Sequence, residues 1–233
     1  VSDRPSPQWP SPNFGERRGG VKPSLIILHY TAMKSAQAAR ARLCDPEFEV
    51  SAHWLIGEDG TSLALVPEEA RAWHAGRSYW RGIRDVNSHS IGIELANPGN
   101  HPFPEPQMAA LEHVLAGIMA RWQIAPQGVL AHSDIAPDRK IDPGPHFDWQ
   151  RLARQGLALA PSPVAAAGGD FTALAHAIGY DPGLDAETLL GAFRLRFRPW
   201  GRGAVTAQEI DLAQRVLAAF PAGFPVDGAG AGA

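Results

Sequence analysis

Apolar residues along the chain change their spacing several times, and each change marks an element. Ser24-Leu-Ile-Ile-Leu-His29 is a near-continuous apolar run, the pattern of a buried strand, and it ends on a histidine. The stretch Ser35 to Cys44 is a helix candidate. His53-Trp-Leu-Ile56 and Ser62-Leu-Ala-Leu-Val66 flank Gly57-Glu-Asp-Gly-Thr61, where Asp59-Gly60 supplies the residues that tolerate positive φ, so a hairpin is predicted. Ser90-Ile-Gly-Ile-Glu-Leu95 reads as a further strand. Met108, Leu111, Leu115, Ile118 and Trp122 recur at steps of three and four, one face of an amphipathic helix. Gly128-Val-Leu-Ala-His132 predicts a short strand, followed by a Pro- and Asp-rich loop over 133–146 and a closing helix from Phe147 to Gln155. Strands and helices interleave, which favours an α/β fold.

The pattern changes again after residue 155. Gly156 to Gly169 is rich in Ala, Pro and Gly and reads as a linker. Three short helices are predicted beyond it, over 170–179, 185–197 and 206–219. The last opens on Thr206 with Glu209 three residues on, a capping box, and Val205 and Ile210 hold the staple positions. A segment of about 50 residues is small for independent stability and is expected to lean on the first domain. Residues 1–20 read as an extended lead-in and 221–233 as a flexible tail.

Composition narrows the class without choosing a function. Of 233 residues, 45% are hydrophobic and 19% charged, enough apolar material for a sizeable core. The charge is −3, from 21 basic and 24 acidic residues, and no basic run is long enough to follow nucleic acid. Cys44 is the single cysteine, so no internal disulfide can form. No stretch approaches 18 consecutive apolar residues and the lead-in has no apolar signal core, so no membrane span is expected. On these grounds the expected location is cytoplasmic, or periplasmic if a leader has been removed.

The chemistry lies in the histidines and in one carboxylate. His29 and His132 each end an apolar run, where a fold can hold rigid ligands at a cleft. Asp142 follows ten residues after His132, and two imidazoles with a carboxylate make an open metal site. Asp134 and Asp138 compete with Asp142 on composition. Glu94 sits in an otherwise apolar strand, where an ionised carboxylate is costly unless paired or functional. Beside a metal-bound water it would serve as a general base. Lys140 is a candidate for stabilising an oxyanion.

Five segments carry a resemblance: Leu25-Ile-Ile-Leu-His-Tyr-Thr31, Ser51-Ala-His-Trp-Leu-Ile56, Ala72-Trp-His-Ala-Gly76, Asn87-Ser-His-Ser-Ile-Gly-Ile-Glu-Leu95 and the run from His132 to Pro145. In order and spacing they resemble the zinc-dependent N-acetylmuramoyl-L-alanine amidases of the AmpD/AmiD type, related to the peptidoglycan recognition proteins. The resemblance covers about residues 10–155. It implies a mixed central β-sheet flanked by helices, with a zinc ion (Zn2+) held by His29, His132 and Asp142. It also implies Glu94 as catalytic carboxylate and Lys140 as the lysine assisting the transition state. His53, Trp73 and His74 fall in the matching segments and are candidates for lining the substrate groove, as is Trp80.

The implied division is a catalytic domain over 21–158, a linker over 159–169 and a small helical, peptidoglycan-binding domain over 170–220. Phe193, Phe197 and Trp200 are expected to form that domain's core. The implied reaction is hydrolysis of the amide between the lactyl group of N-acetylmuramic acid and L-alanine in peptidoglycan fragments. The alternative is a recognition protein that holds the same muropeptides without cleaving them. Such relatives have usually lost a zinc ligand, and this sequence keeps all three.

Overall fold

The computed structural model describes residues 11–164 and 168–221. The rest of the predicted lead-in, linker and tail lies outside the described residues. Seven strands and eight α-helices occur among them. The strands are β1 (Phe14–Gly15), β2 (Leu25–Tyr30), β3 (Trp54–Ile56), β4 (Ser62–Ala64), β5 (Arg71–Ala72), β6 (Ser90–Leu95) and β7 (Val129–Ala131). The helices are α1 (Ala36–Leu43), α2 (Val86–His89), α3 (Glu105–Trp122), α4 (His132–Ile135), α5 (Trp149–Arg154), α6 (Phe171–Ile178), α7 (Ala186–Phe197) and α8 (Ala207–Leu217).

Five strands form a mixed sheet in the order β4-β3-β6-β2-β7, with only the β3–β4 hairpin antiparallel. This is the α/β architecture expected, a central sheet with helices on both faces. Strand alternation then sorts the side chains. Ile26 and Leu28 of β2, with Ile91, Ile93 and Leu95 of β6, pack on Met108, Leu111, Leu115 and Ile118 of α3. The opposite face carries Leu25, Ile27 and His29 on β2, level with Ser90, Gly92 and Glu94 on β6. Half of that face is apolar and half is polar. The apolar half is covered by the C-terminal helices, and the polar half is left for a site.

Leu25, Ile27 and Leu130 of the sheet share one core with Phe171, Leu189, Phe193 and Val216 of α6, α7 and α8. The three helices begin where side chains cap them. Asp170 accepts from the Ala173 N–H and Asp185 from the Thr188 N–H, both at 2.8 Å, and Thr206 with Glu209 forms the capping box of α8. Val205, in the staple position, stays exposed. Trp200 departs from expectation. It is 63% exposed and belongs to no core, because α7 ends at Phe197 and the helical spacing from Phe193 stops there.

Two other expectations change. The strand predicted to end on His132 stops at Ala131, and His132 opens α4, which starts inside the segment read as loop. The described part of the lead-in is extended but anchored. Ser11 and Asn13 are buried, and Arg17 donates to the Ser88 and Ser90 carbonyls at 2.6 and 3.0 Å. Among the described residues, no helix is long and apolar enough to cross a membrane.

Candidate active site

The parallel register of β2 and β6 sets His29 beside Glu94 at the carboxyl ends of both strands. His132 arrives from the end of neighbouring β7. Asp142 comes from the loop after α4, which folds back so that the Ser133 N–H bonds the Asp142 carbonyl at 3.0 Å. These elements bring three ligand atoms together. His29 Nδ1 and His132 Nδ1 stand 2.9 Å apart, and Asp142 Oδ2 is 3.0 Å from each. A tetrahedral ion with bonds of about 2.0 Å spaces its ligands about 3.3 Å apart, close to this arrangement.

Hydrogen bonding around the imidazoles says which nitrogens are bare. His132 Nε2 lies 3.2 Å from the Ala75 carbonyl, which can only accept, so the proton sits on Nε2 and the neutral ring is bare at Nδ1. The His29 tautomer follows from a longer relay. The Ser90 hydroxyl donates to the Val86 carbonyl at 2.6 Å, so its oxygen accepts from His74 Nε2 at 3.2 Å. His74 Nδ1 then accepts from His29 Nε2 at 3.0 Å, leaving His29 bare at Nδ1. Burial, more than any other cause, pulls His29 down to about 4, which keeps it neutral at physiological pH. Three electron-pair donors with no proton between them converge on one point. That point suits a cation, and the residues fit a metal ion.

The triad lies in a groove of about 590 Å³ that Glu94, Lys140, Trp73, His74 and Arg139 also line. Glu94 is half-buried, and its Oε2 is buried without a hydrogen-bond partner. Burial, then the charge of Asp142, pushes its carboxyl up to about 8.

The expected groove residues divide. Trp73 borders the groove. His74 borders it too, but both its ring nitrogens are engaged behind His29, and Asn87 Oδ1 holds its backbone N–H at 3.0 Å. His53 is corrected. It is 0% exposed beneath the sheet edge, its Nδ1 accepting from the Gly92 N–H and its Nε2 donating to the Ala70 carbonyl, so it does not reach the groove. Trp80 is corrected as well, being core beneath Tyr180 at a centroid distance of 5.3 Å.

The competing aspartates are occupied elsewhere. Asp134 is buried against Arg196 and Tyr180, and Asp138 pairs with Arg77 at the surface. Residue-level reading missed Ser90, Asn87 and Arg139. Arg139 donates to the Ala75 and Arg77 carbonyls and so ties the Asp142 loop to the His74 loop. All three stood inside the quoted segments, but their backbone partners carry no sequence signal.

A family model described as N-acetylmuramoyl-L-alanine amidase matches residues 19–145, more than half of the chain. The chain belongs to that amidase family. Its sequence is 42% identical over 153 residues to the N-acetylmuramoyl-L-alanine amidase AmiD of Escherichia coli (strain K12), covering 59% of this chain and 54% of that one. The match thus spans about half the length of that relative. It is 35% identical over 160 residues to the 1,6-anhydro-N-acetylmuramyl-L-alanine amidase AmpD of Salmonella typhimurium (strain SL1344), covering 61% of this chain and 86% of that one. Among solved structures it resembles the complex of E. coli AmiD with the substrate anhydro-N-acetylmuramic acid-L-Ala-D-γ-Glu-L-Lys. There the TM-score is 0.75 at 32% identity, and 94% of each chain is covered. Membership in the amidase family, like the fold, agrees with the resemblance read from the sequence.

Proposed function

We propose that this chain is a zinc amidase that cleaves the bond between the lactyl group of N-acetylmuramic acid, or its 1,6-anhydro form, and the L-alanine of the stem peptide. One observation carries the reading: three unprotonated ligand atoms converge beside a carboxylate whose inner oxygen has no partner. Zinc held by His29, His132 and Asp142 would supply Lewis-acid polarisation of the amide carbonyl and of the attacking water.

The remaining work falls to side chains. With positive charge at the triad, the Glu94 carboxyl falls from about 8 toward the range in which a base operates near neutrality. Its carboxylate takes a proton from water as the water oxygen bonds to the amide carbon. The same proton goes to the alanine nitrogen as the C–N bond breaks, which leaves a free stem peptide and a lactyl carboxylic acid that gives its remaining proton to solvent. Lys140, on the groove wall, would sit close enough to steady the charge on the carbonyl oxygen. Trp73 and the exposed Ile141 offer apolar area to the lactyl and sugar groups, while Arg42 adds positive charge for an acidic stem.

The test uses the full chain loaded with zinc and given an anhydro-muramyl tripeptide. The expected products are the free tripeptide, with a new amino terminus at L-alanine, and the sugar acid, both identified by mass. Bound zinc and bound muropeptide without cleavage would overturn the enzyme reading in favour of recognition alone.

A further inference from the structure

The turn that carries His132 is held on both sides by Arg196 of α7. Ahead of it, Arg196 Nη2 on α7 donates to the carbonyl of Val129 in β7 at 2.9 Å. Behind it, Arg196 Nη1 donates to Asp134 Oδ2 on α4 at 2.5 Å. The same Asp134 oxygen accepts from the Ala131 N–H at 2.9 Å, closing the turn in which His132 sits. The other oxygen accepts from the Tyr180 hydroxyl, just beyond α6, at 2.8 Å. One guanidinium thus spans the strand that delivers His132 and the helix that leaves it.

The grip is buried and rigid. The Arg196 and Asp134 side chains are 3% and 0% exposed, and the guanidinium lies 4.4 Å over the Trp149 ring. A planar fork with two fixed donors suits this task, and a lysine ammonium cannot reach both acceptors in the same geometry. Asp134 faces away from the groove and accepts three hydrogen bonds, so it is neither a ligand nor a base. An ion pair is not needed there to fill space, and the hydrophobic contacts of α6, α7 and α8 already cover the sheet. What the pair adds is a fixed position for the turn at His132.

We infer that Asp134, Tyr180 and Arg196 are positioning residues for the metal site, through which the C-terminal helices set how tightly the triad holds its ion. This rests on the zinc amidase reading. It gives those helices a part in catalysis separate from any contact they make with glycan.

The test compares Arg196→Met, Arg196→Lys and Tyr180→Phe with the wild type as full chains. Zinc affinity is measured by competition with a chromophoric chelator, well below each melting temperature. Phe171→Leu is the control, because it loosens the contact between α6 and Phe193 without touching Asp134. Arg196→Met should weaken zinc binding by about 10–100-fold, the range seen when groups behind a metal ligand are removed. Tyr180→Phe should weaken it less, and Arg196→Lys should fall between wild type and Arg196→Met. Phe171→Leu should lower the melting temperature and leave zinc affinity unchanged. At saturating zinc, kcat should fall in Arg196→Met with KM nearly constant.

Wild-type zinc affinity in both Arg196→Met and Tyr180→Phe would overturn the inference and leave the helices a structural role. Tyr180→Phe decides the matter if Arg196→Met does not fold. A wild-type chain that binds no zinc would instead overturn the metal reading itself.

Discussion

Glu94 separates holding a metal from using it. Glu94→Gln keeps the side chain's shape but cannot accept a proton, so turnover should drop by roughly 10²–10⁴-fold while zinc content stays at the wild-type level. Single-turnover rates and metal analysis on one preparation check both halves. His53 makes a prediction of another kind. Burial, with Arg17 nearby, holds its pKa down to about 3, against about 6.5 in the unfolded chain. Between those values the unfolded state takes up a proton that the folded state refuses. Its contribution to stability is therefore complete above pH 6.5 and is lost as pH falls toward 3, at up to about 1.4 kcal/mol per pH unit. Urea midpoints across that window should slope less steeply in His53→Gln than in the wild type. At this scale the sequence was informative wherever a residue type was out of place: a glutamate in an apolar strand, a histidine at a strand end. His53 and Trp80 were misjudged for one reason. A motif tells which residues lie near a groove, and only packing tells which of them turn inward.

Among the elements, β6 shows how a strand can hold a second layer of polar contacts. Its Ser90, Gly92 and Glu94 face one way, and the His74 ring lies over Gly92, where an added Cβ would stand 2.5 Å from His74 Cγ. Gly92→Ala must push the imidazole out of the relay behind His29. The expected loss is about 1–3 kcal/mol of stability, with weaker zinc binding, read by calorimetry and chelator competition. Gly191→Ala in α7, where nothing lies within 4 Å of the new carbon, should be neutral or stabilising. The strand itself was legible in the sequence as Ser90 to Leu95. The reason for its glycine was not, because the ring that needs the space belongs to His74, in a loop well before the strand. Likewise His132 was expected at the end of a strand and instead opens α4, a single turn too short for any periodic signal.

For the molecule as a whole, the three C-terminal helices were visible in their caps and apolar spacing and were expected to lean on the first domain, but the face they cover was not legible. The run Leu25 to Leu28 signalled burial on both faces without saying what covers the second. A chain ending at residue 164 would expose Leu25, Ile27, Leu130 and Trp80 together. It should bind a hydrophobic dye such as anilinonaphthalene sulfonate and sediment as aggregates, whereas the full chain should do neither. A truncated chain that stays monomeric and silent to the dye would argue that the amidase part is self-sufficient.

The separation of the triad along the chain also sets an order of events in time. His29 and His132 lie 103 residues apart, and Asp142 a further ten on. The strands that carry the histidines, β2 and β7, are joined by parallel pairing alone, the kind of long-range contact that forms late. A chain emerging from a ribosome therefore has no three-ligand site until Asp142 has been made and β7 has docked. Until then it offers metal only scattered single histidines. Metal cannot act as the seed of this fold in the way it does for a zinc finger. Any ion that the triad holds would be a late arrival, taken up by a sheet that is already built.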